Sequence, residues 1–233
     1  NTEMAWTQNI YCEDQRLGQE NFKQMRKAMV VSQLRTTEVS DPHLIAAMSH
    51  IPREDFVPAA RRNFAYADRG VQIGEDRALN PPLTTGRLLN MARITKADNI
   101  LLIGAATGYT AAVLAQLAAT VAAVEQNPKL AAIAEKNLAN YANVNVETGN
   151  LAEGWSASAP YSVIVIDGFV EQIPDNVVDQ LAPDGRIVAV IPHDGVPRLA
   201  LGRVASGHVG YQYFADGAGC PLPGFEVARS FEF

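Results

Sequence analysis

The sequence predicts an α/β fold: a doubly wound, mostly parallel sheet with an N-terminal helical cap and an antiparallel C-terminal edge. Three observations predict it. Between Asn99 and Ile191, apolar runs alternate with helix-period segments, a pattern that requires right-handed crossovers and parallel strands. The first run, NILLIG from Asn99, is apolar throughout, as a strand covered on both faces is. After Pro197 the helical pattern stops and short alternating runs follow. The 233 residues, 48% of them hydrophobic, suffice for one domain with a full core. The expected division is residues 1–95 as a helical and loop-rich cap on the substrate side, and 96–233 as a ligand-binding core.

Each element has its own signal. Phe22, Met25, Met29, Val30 and Leu34 recur at helical spacing, predicting a helix over 20–34. Asp41 is a candidate N-cap with Pro42 in the first turn. Pro52 and Pro58 end that helix. Residues 61–82, rich in Arg, Asp, Gly and Pro, read as irregular, and Thr84 to Ala92 as a helix. From Asn99 the expected order is strand NILLIG, helix Tyr109 to Ala118, strand TVAAVE, and a helix Pro128 to Tyr141 with Pro at its first turn. Strand NVNVET, strand YSVIVID, a short helix Pro174 to Leu181, an APDG turn and strand GRIVAVI follow. RLALGRV, HVGYQYF and ARSFEF read as edge strands and a tail.

Composition narrows the function. The net charge is −6 and there is no basic stripe, so nucleic acid is not an expected partner. Cys12 and Cys220 lie far apart without metal-ligand spacing. They read as reduced thiols of a cytoplasmic protein. His43, His50, His193 and His208 show no ligand spacing either, so no metal is expected. No apolar run reaches the roughly 18 residues of a membrane span, and the N-terminal stretch lacks the basic-then-apolar pattern of a signal peptide.

The stretch GAATGY closes the first strand. In an open α/β sheet, ligands bind beyond the carboxyl ends of the strands. Gly104 permits a tight turn, and Gly108 opens a helix whose free N–H groups can receive a carboxylate or phosphate. Glu125 ends the second strand about 20 residues later, where a carboxylate can accept both ribose hydroxyls. A dinucleotide and S-adenosylmethionine both fit this much. The dinucleotide fingerprint needs glycine where Ala106 and Tyr109 stand, which disfavours it. A βα turn without a ligand is the plain alternative. Asn150, beside the third strand end, can accept from an adenine amino group, or it caps a turn.

With these pieces in place, the chain resembles the protein-L-isoaspartate O-methyltransferases, a branch of the class I S-adenosylmethionine-dependent methyltransferases. The likeness runs from about Arg26 to the C-terminus. It rests on MVVSQLRTTEVSDPHLIAAMSHIPREDFVP, FAYAD, LLIGAATGYTAAVLAQLA, VAAVEQNPKLAAIAEKNL, GNLAEGW, APYSVIVIDG and DQLAPDGRIVAVI. The resemblance implies a seven-stranded sheet and places the donor on Gly104, Ala105, Ala106, Thr107, Gly108 and Tyr109. It adds Glu125 with Gln126, and Asn150 with Leu151. S-adenosylhomocysteine would be the product, and isoaspartyl-bearing proteins or peptides the partners. Three departures stand out. Ala106 replaces a glycine usual in the family, Asn150 an aspartate, and Asn80-Pro81-Pro82 a Ser-Gln-Pro triplet that covers the donor and holds the acceptor carboxylate.

Asn80 is the candidate for touching the acceptor, since its amide can donate to a carboxylate oxygen; shaping the turn before two prolines is the alternative. Asp167, after the fourth strand, faces the donor's sulfonium or amino group, or else caps a helix. An acceptor carboxylate is ionised at neutral pH and needs no general base, so no nucleophile–base constellation is expected. A methyltransferase with another acceptor and a non-catalytic donor-binding homologue remain as alternatives.

Overall fold

The computed structural model describes residues 18–205 and 208–227. Helix α1 spans residues 18–29 and runs on through a π-helical turn, Val30–Leu34, that buries Val30 and Leu34. Helix α2, Pro42–His50, starts where the sequence places it. Asp41 Oδ1 accepts from the N–H groups of His43 (2.8 Å) and Leu44 (3.2 Å), and Pro42 holds the first position. Two 3₁₀ turns, Arg53–Phe56 and Ala59–Phe64, lead into a small hairpin of β1 (Val71–Gln72) and β2 (Ala78–Leu79). This hairpin lies in the region read as irregular. Helix α3 is Pro82–Ala92.

The main sheet comprises β3 (Asn99–Ile103), β4 (Thr120–Glu125), β5 (Val144–Thr148), β6 (Tyr161–Phe169), β7 (Leu181–His193), β8 (Val196–Ala205) and β9 (His208–Asp216). Their spatial order is β5-β4-β3-β6-β7-β8-β9. The first five run parallel, and β7, β8 and β9 pair antiparallel. Helices α4 (Tyr109–Ala115), α5 (Pro128–Leu138) and α6 (Asp175–Val178) connect the parallel strands. Asn127 caps α5 by accepting from Lys129 N and Leu130 N.

Helices α4 and α5 end three residues short of the expected Ala118 and Tyr141, and two further details differ from the sequence reading. The helix before the fifth strand is only α6, because Leu181 already pairs with Tyr161 and opens β7. APDG is a bulge inside that strand, where the register shifts between Tyr161 and Val163. The proposed strand ARSFEF lies at 228–233, outside the described residues.

Strand β3 is central, with Ile100 to Ile103 fully buried. Its alternate side chains enter two cores. Ile100 and Leu102 pack with the N-terminal helices, α4 and α5. Leu101 and Ile103 face a second cluster completed by Leu151, Val177, Leu222 and Phe225. One face is thus covered by helices. The other depends partly on the chain's C-terminal segment.

Candidate functional site

The turn after β3 has three residues in the left-handed region: Gly104 (φ 85°), Ala106 (φ 53°) and Gly108 (φ 99°). Gly108 starts α4, and a Cβ there would meet Leu138 at 2.8 Å. Only glycine fits. Ala106 keeps the backbone of a glycine while carrying a side chain, at a strain of about 1–2 kcal/mol. The N–H groups of Gly104 and Ala105 donate to Val124 O, so the turn is fastened to β4. Thr107 Oγ1 donates to Phe56 O (2.6 Å) and Thr107 O accepts from Asn137 Nδ2 (2.9 Å). Ala105 and Tyr109 are buried, and Tyr109 packs edge-on against Phe56.

Glu125 ends β4 and is fully buried. Its Oε1 accepts from Arg77 Nη1 (2.6 Å) and Asn127 N (3.0 Å), and its Oε2 from Ala106 N (2.7 Å). The β1–β2 hairpin delivers Arg77, whose Nε is buried without a partner. Gln126, next in sequence, is exposed. Asn80 and Asp167 meet at the end of β6. Asn80 Nδ2 donates to Asp167 Oδ1 (2.7 Å), and Thr110 Oγ1 to Asp167 Oδ2 (2.5 Å). Asn80 Oδ1 accepts from Cys220 N (2.8 Å). Burial pushes the Asp167 carboxyl above its ordinary range, outweighing these hydrogen bonds and the charges of Arg53 and Arg77. Arg53, fully buried over the ring of Tyr109, donates to Ala65 O (2.7 Å) and Asn80 O (2.5 Å), and burial lowers its pKa.

Asn150 lies after β5, exposed. Its Oδ1 accepts from Ala152 N (3.0 Å), capping a 3₁₀ turn, Leu151–Glu153, and its Nδ2 donates to Glu153 Oε1 (3.2 Å). Leu151 is fully buried. The structure therefore brings Gly104 to Tyr109, Glu125, Asp167 and Asn80 to one edge, the carboxyl ends of β3, β4 and β6. Asn150 and Leu151 lie at the neighbouring end of β5.

A cleft of about 730 Å³ opens between Arg77, residues 126–129 and residues 221–223. A second, of about 340 Å³, lies between Gln72, Ala78 and Cys220. Arg77 lines both. At this edge the chain's own groups hold two of the contacts expected of the methyl donor. Arg77 satisfies Glu125, and Leu222 methyls lie 3.0 and 3.1 Å from a Cβ built on Gly104. Sequence reasoning missed Arg77, Arg53 and Leu222. Arg77 sits in a stretch without periodicity, and its partner is remote in the chain. Among the described residues, no group of three or more His, Cys, Asp or Glu could hold a metal ion, and no helix is long and apolar enough to cross a membrane.

Residues 25–209 match the family described as protein-L-isoaspartate(D-aspartate) O-methyltransferase. A protein-L-isoaspartate O-methyltransferase of Protochlamydia amoebophila (strain UWE25) is 40% identical over 162 residues, which is 69% of this chain and 77% of that protein. A solved structure named protein-L-isoaspartate O-methyltransferase superposes with a TM-score of 0.75 at 24% identity, over 85% of this chain and 66% of that one. A candidate enzyme of the same name from Plasmodium falciparum, solved in complex with S-adenosyl-L-homocysteine, superposes with a TM-score of 0.69 at 16% identity, over 86% of this chain and 97% of that one. At these identities the two superpositions establish the fold.

Proposed function

The chain belongs to the protein-L-isoaspartate(D-aspartate) O-methyltransferase family, and from that premise we propose that it methylates the carboxylate of isoaspartyl residues in damaged proteins, with S-adenosylmethionine as donor. The observation that carries the reading is the convergence of Gly104, Glu125 and Asp167, from three adjacent strands, on the carboxyl edge of a doubly wound sheet. The chemistry asks little more of the protein. An acceptor carboxylate is already ionised at neutral pH. Orientation and exclusion of water supply the advantage, up to roughly 7–11 kcal/mol for well-placed reactants. In this reading Glu125 receives the donor's ribose, the turn 104–109 its charged end, and Asn80 lies on the acceptor side. Cys220 is a free thiol, which supports a place in the cytoplasm.

A second reading, a homologue that does not turn over, is favoured by one specific observation. The amide of Asn80 gives one N–H to Asp167 and accepts from Cys220 N, leaving a single N–H for an acceptor. Transfer of labelled methyl from S-adenosylmethionine to an isoaspartyl peptide, with the matched aspartyl peptide as control, separates the two. Base-labile label on the isoaspartyl peptide alone establishes the first reading. No label on either peptide, from folded protein, overturns the first and leaves a homologue that does not turn over or a methyltransferase with another acceptor.

A further inference from the structure

We propose that Arg77 and residues 218–227 form a built-in plug of the donor cleft, which the nucleoside end of the methyl donor must displace. This rests on the reading of the carboxyl edge as the donor site.

The segment is held in place as an extra strand is. Phe169 N donates to Cys220 O (2.8 Å) and Leu222 N to Phe169 O (2.9 Å), so residues 220–222 lie alongside the end of β6, with a parallel bridge between Phe169 and Pro221. Cys220 N is further tied to Asn80 Oδ1. From this track Leu222 covers two strand ends at once. A Cβ on Gly104 would meet its methyls at 3.0 and 3.1 Å, and a Cβ on Gly168 would meet its Cγ at 2.6 Å. Further along, Gly224 comes within 3.6 Å of Asn150 Oδ1, measured from the Cβ it lacks. The segment therefore runs from the end of β6, past the glycine turn, to the end of β5.

Arg77 completes the plug chemically. A ribose diol binds a carboxylate by donating O–H groups; Arg77 Nη1 donates one N–H to Oε1 of Glu125, while Oε2 accepts from Ala106 N. Arg77 thus occupies one of the positions on that carboxylate that a diol would use. The plug is also imperfect. Arg77 Nε is buried with no partner, and the adjoining cleft, floored by Arg77 and walled by Pro221 and Pro223, gives the guanidinium somewhere to swing. The unsatisfied N–H and the adjoining cleft mark the Arg77 contact as one that can be exchanged, while Leu222 and Phe225 also pack in the second core. Donor affinity is then reduced by the fraction of molecules in which the plug is closed.

The test uses the full chain and S-adenosylhomocysteine. Hydrogen exchange is followed at the Cys220 and Leu222 amides with and without it. Its affinity is measured by calorimetry for wild type, Leu222→Ala and Arg77→Ala, the last removing the N–H donor from Glu125. The proposal predicts faster exchange at both amides on ligand addition and binding at least tenfold tighter to the variants. Binding that leaves both amides protected, with equal affinity in all three proteins, overturns the plug while the donor site stands. No binding to wild type or to either folded variant overturns both. The exchange measurement on wild type decides even if a variant fails to fold.

Discussion

The two ends of the same sheet are built to different standards. At the amino end, Asp98 stands just before β3. It accepts from Ser162 Oγ (2.7 Å), Thr95 N (2.7 Å), Thr95 Oγ1 (3.1 Å) and both terminal nitrogens of Arg186 (3.2 and 2.9 Å). Arg186 in turn donates to the carbonyls of Ala92, Arg93 and Ser162. Burial alone raises the Asp98 pKa, but the bonds from Arg186, Thr95 and Ser162 together bring it below the ordinary value. At the carboxyl end, the Asp167 carboxyl is pushed up, Ala106 holds a left-handed backbone, and Arg77 Nε and Tyr109 OH are buried without partners. A network with every group satisfied fastens three strands and does nothing else. Strain, orphan donors and a carboxyl raised by burial gathered at one edge are what a site for a ligand looks like. The contrast separates structural from functional polarity without appeal to relatives.

The largest effect that can test this comparison is at the amino end. Asp98→Ala leaves Arg186 largely buried without its counter-charge and should cost about 3–5 kcal/mol, read by urea denaturation at neutral pH. A loss below 1 kcal/mol would show that the network is ornamental. The lowered Asp98 pKa also fixes a sign. Its contribution is present above about 3.8, the ordinary aspartate value, and is lost as the pH falls through the lower native value. Acid unfolding of wild type should therefore be steeper than that of Asp98→Asn. Glu125→Ala should cost less, about 1–3 kcal/mol, because Arg77 can turn into the adjoining cleft whereas Arg186 is pinned by three carbonyls. Equal losses for the two variants would erase the distinction.

Smaller effects sharpen it. Ala106→Gly relieves about 1–2 kcal/mol of strain and gives back part of it through the greater freedom of glycine in the unfolded chain. A net gain of about 0.5–1 kcal/mol is expected in thermal unfolding, and any loss would contradict the strained turn. The smallest effect concerns Asp167. Its native pKa is raised, so its contribution is fully present below the ordinary aspartate value and lost as the pH rises through the native one. Asp167→Asn can still accept from Asn80 and can donate to Thr110. It should match wild type in acid and exceed it slightly at pH 8, by about 1 kcal/mol or less. A variant less stable than wild type at pH 8 would mean that Arg53 and Arg77 need that charge.

What the sequence made legible is local. Asp41-Pro42 carries a cap and a first-turn proline in adjacent positions, Pro128 marks a first turn, and both helices start there. TVAAVE is bounded as predicted. The carboxyl-edge location of Gly104 and Glu125 followed from strand–helix alternation alone. The partners of those residues were not legible, because they are distant in the chain and no pattern announces them. Arg77 reaches Glu125 through a hairpin of two-residue strands, too short for any period. Cys220 reaches Asn80 across most of the chain, by a backbone N–H that no side-chain chemistry reveals. Ala106 shows the limit from the other side. The sequence records a lost glycine, while the structure keeps the conformation that glycine would have relaxed.

The claim that one edge works and the other only holds is tested most directly by mapping amide chemical shifts of the full chain during a titration with S-adenosylhomocysteine. The account predicts shifts at Gly104 to Tyr109, Glu125 to Asn127, and Leu151 to Ala152, with Asp98, Asn99, Ser162 and Arg186 unmoved. Shifts centred on the Asp98–Arg186 edge, or none at the carboxyl edge at saturating ligand, would contradict it.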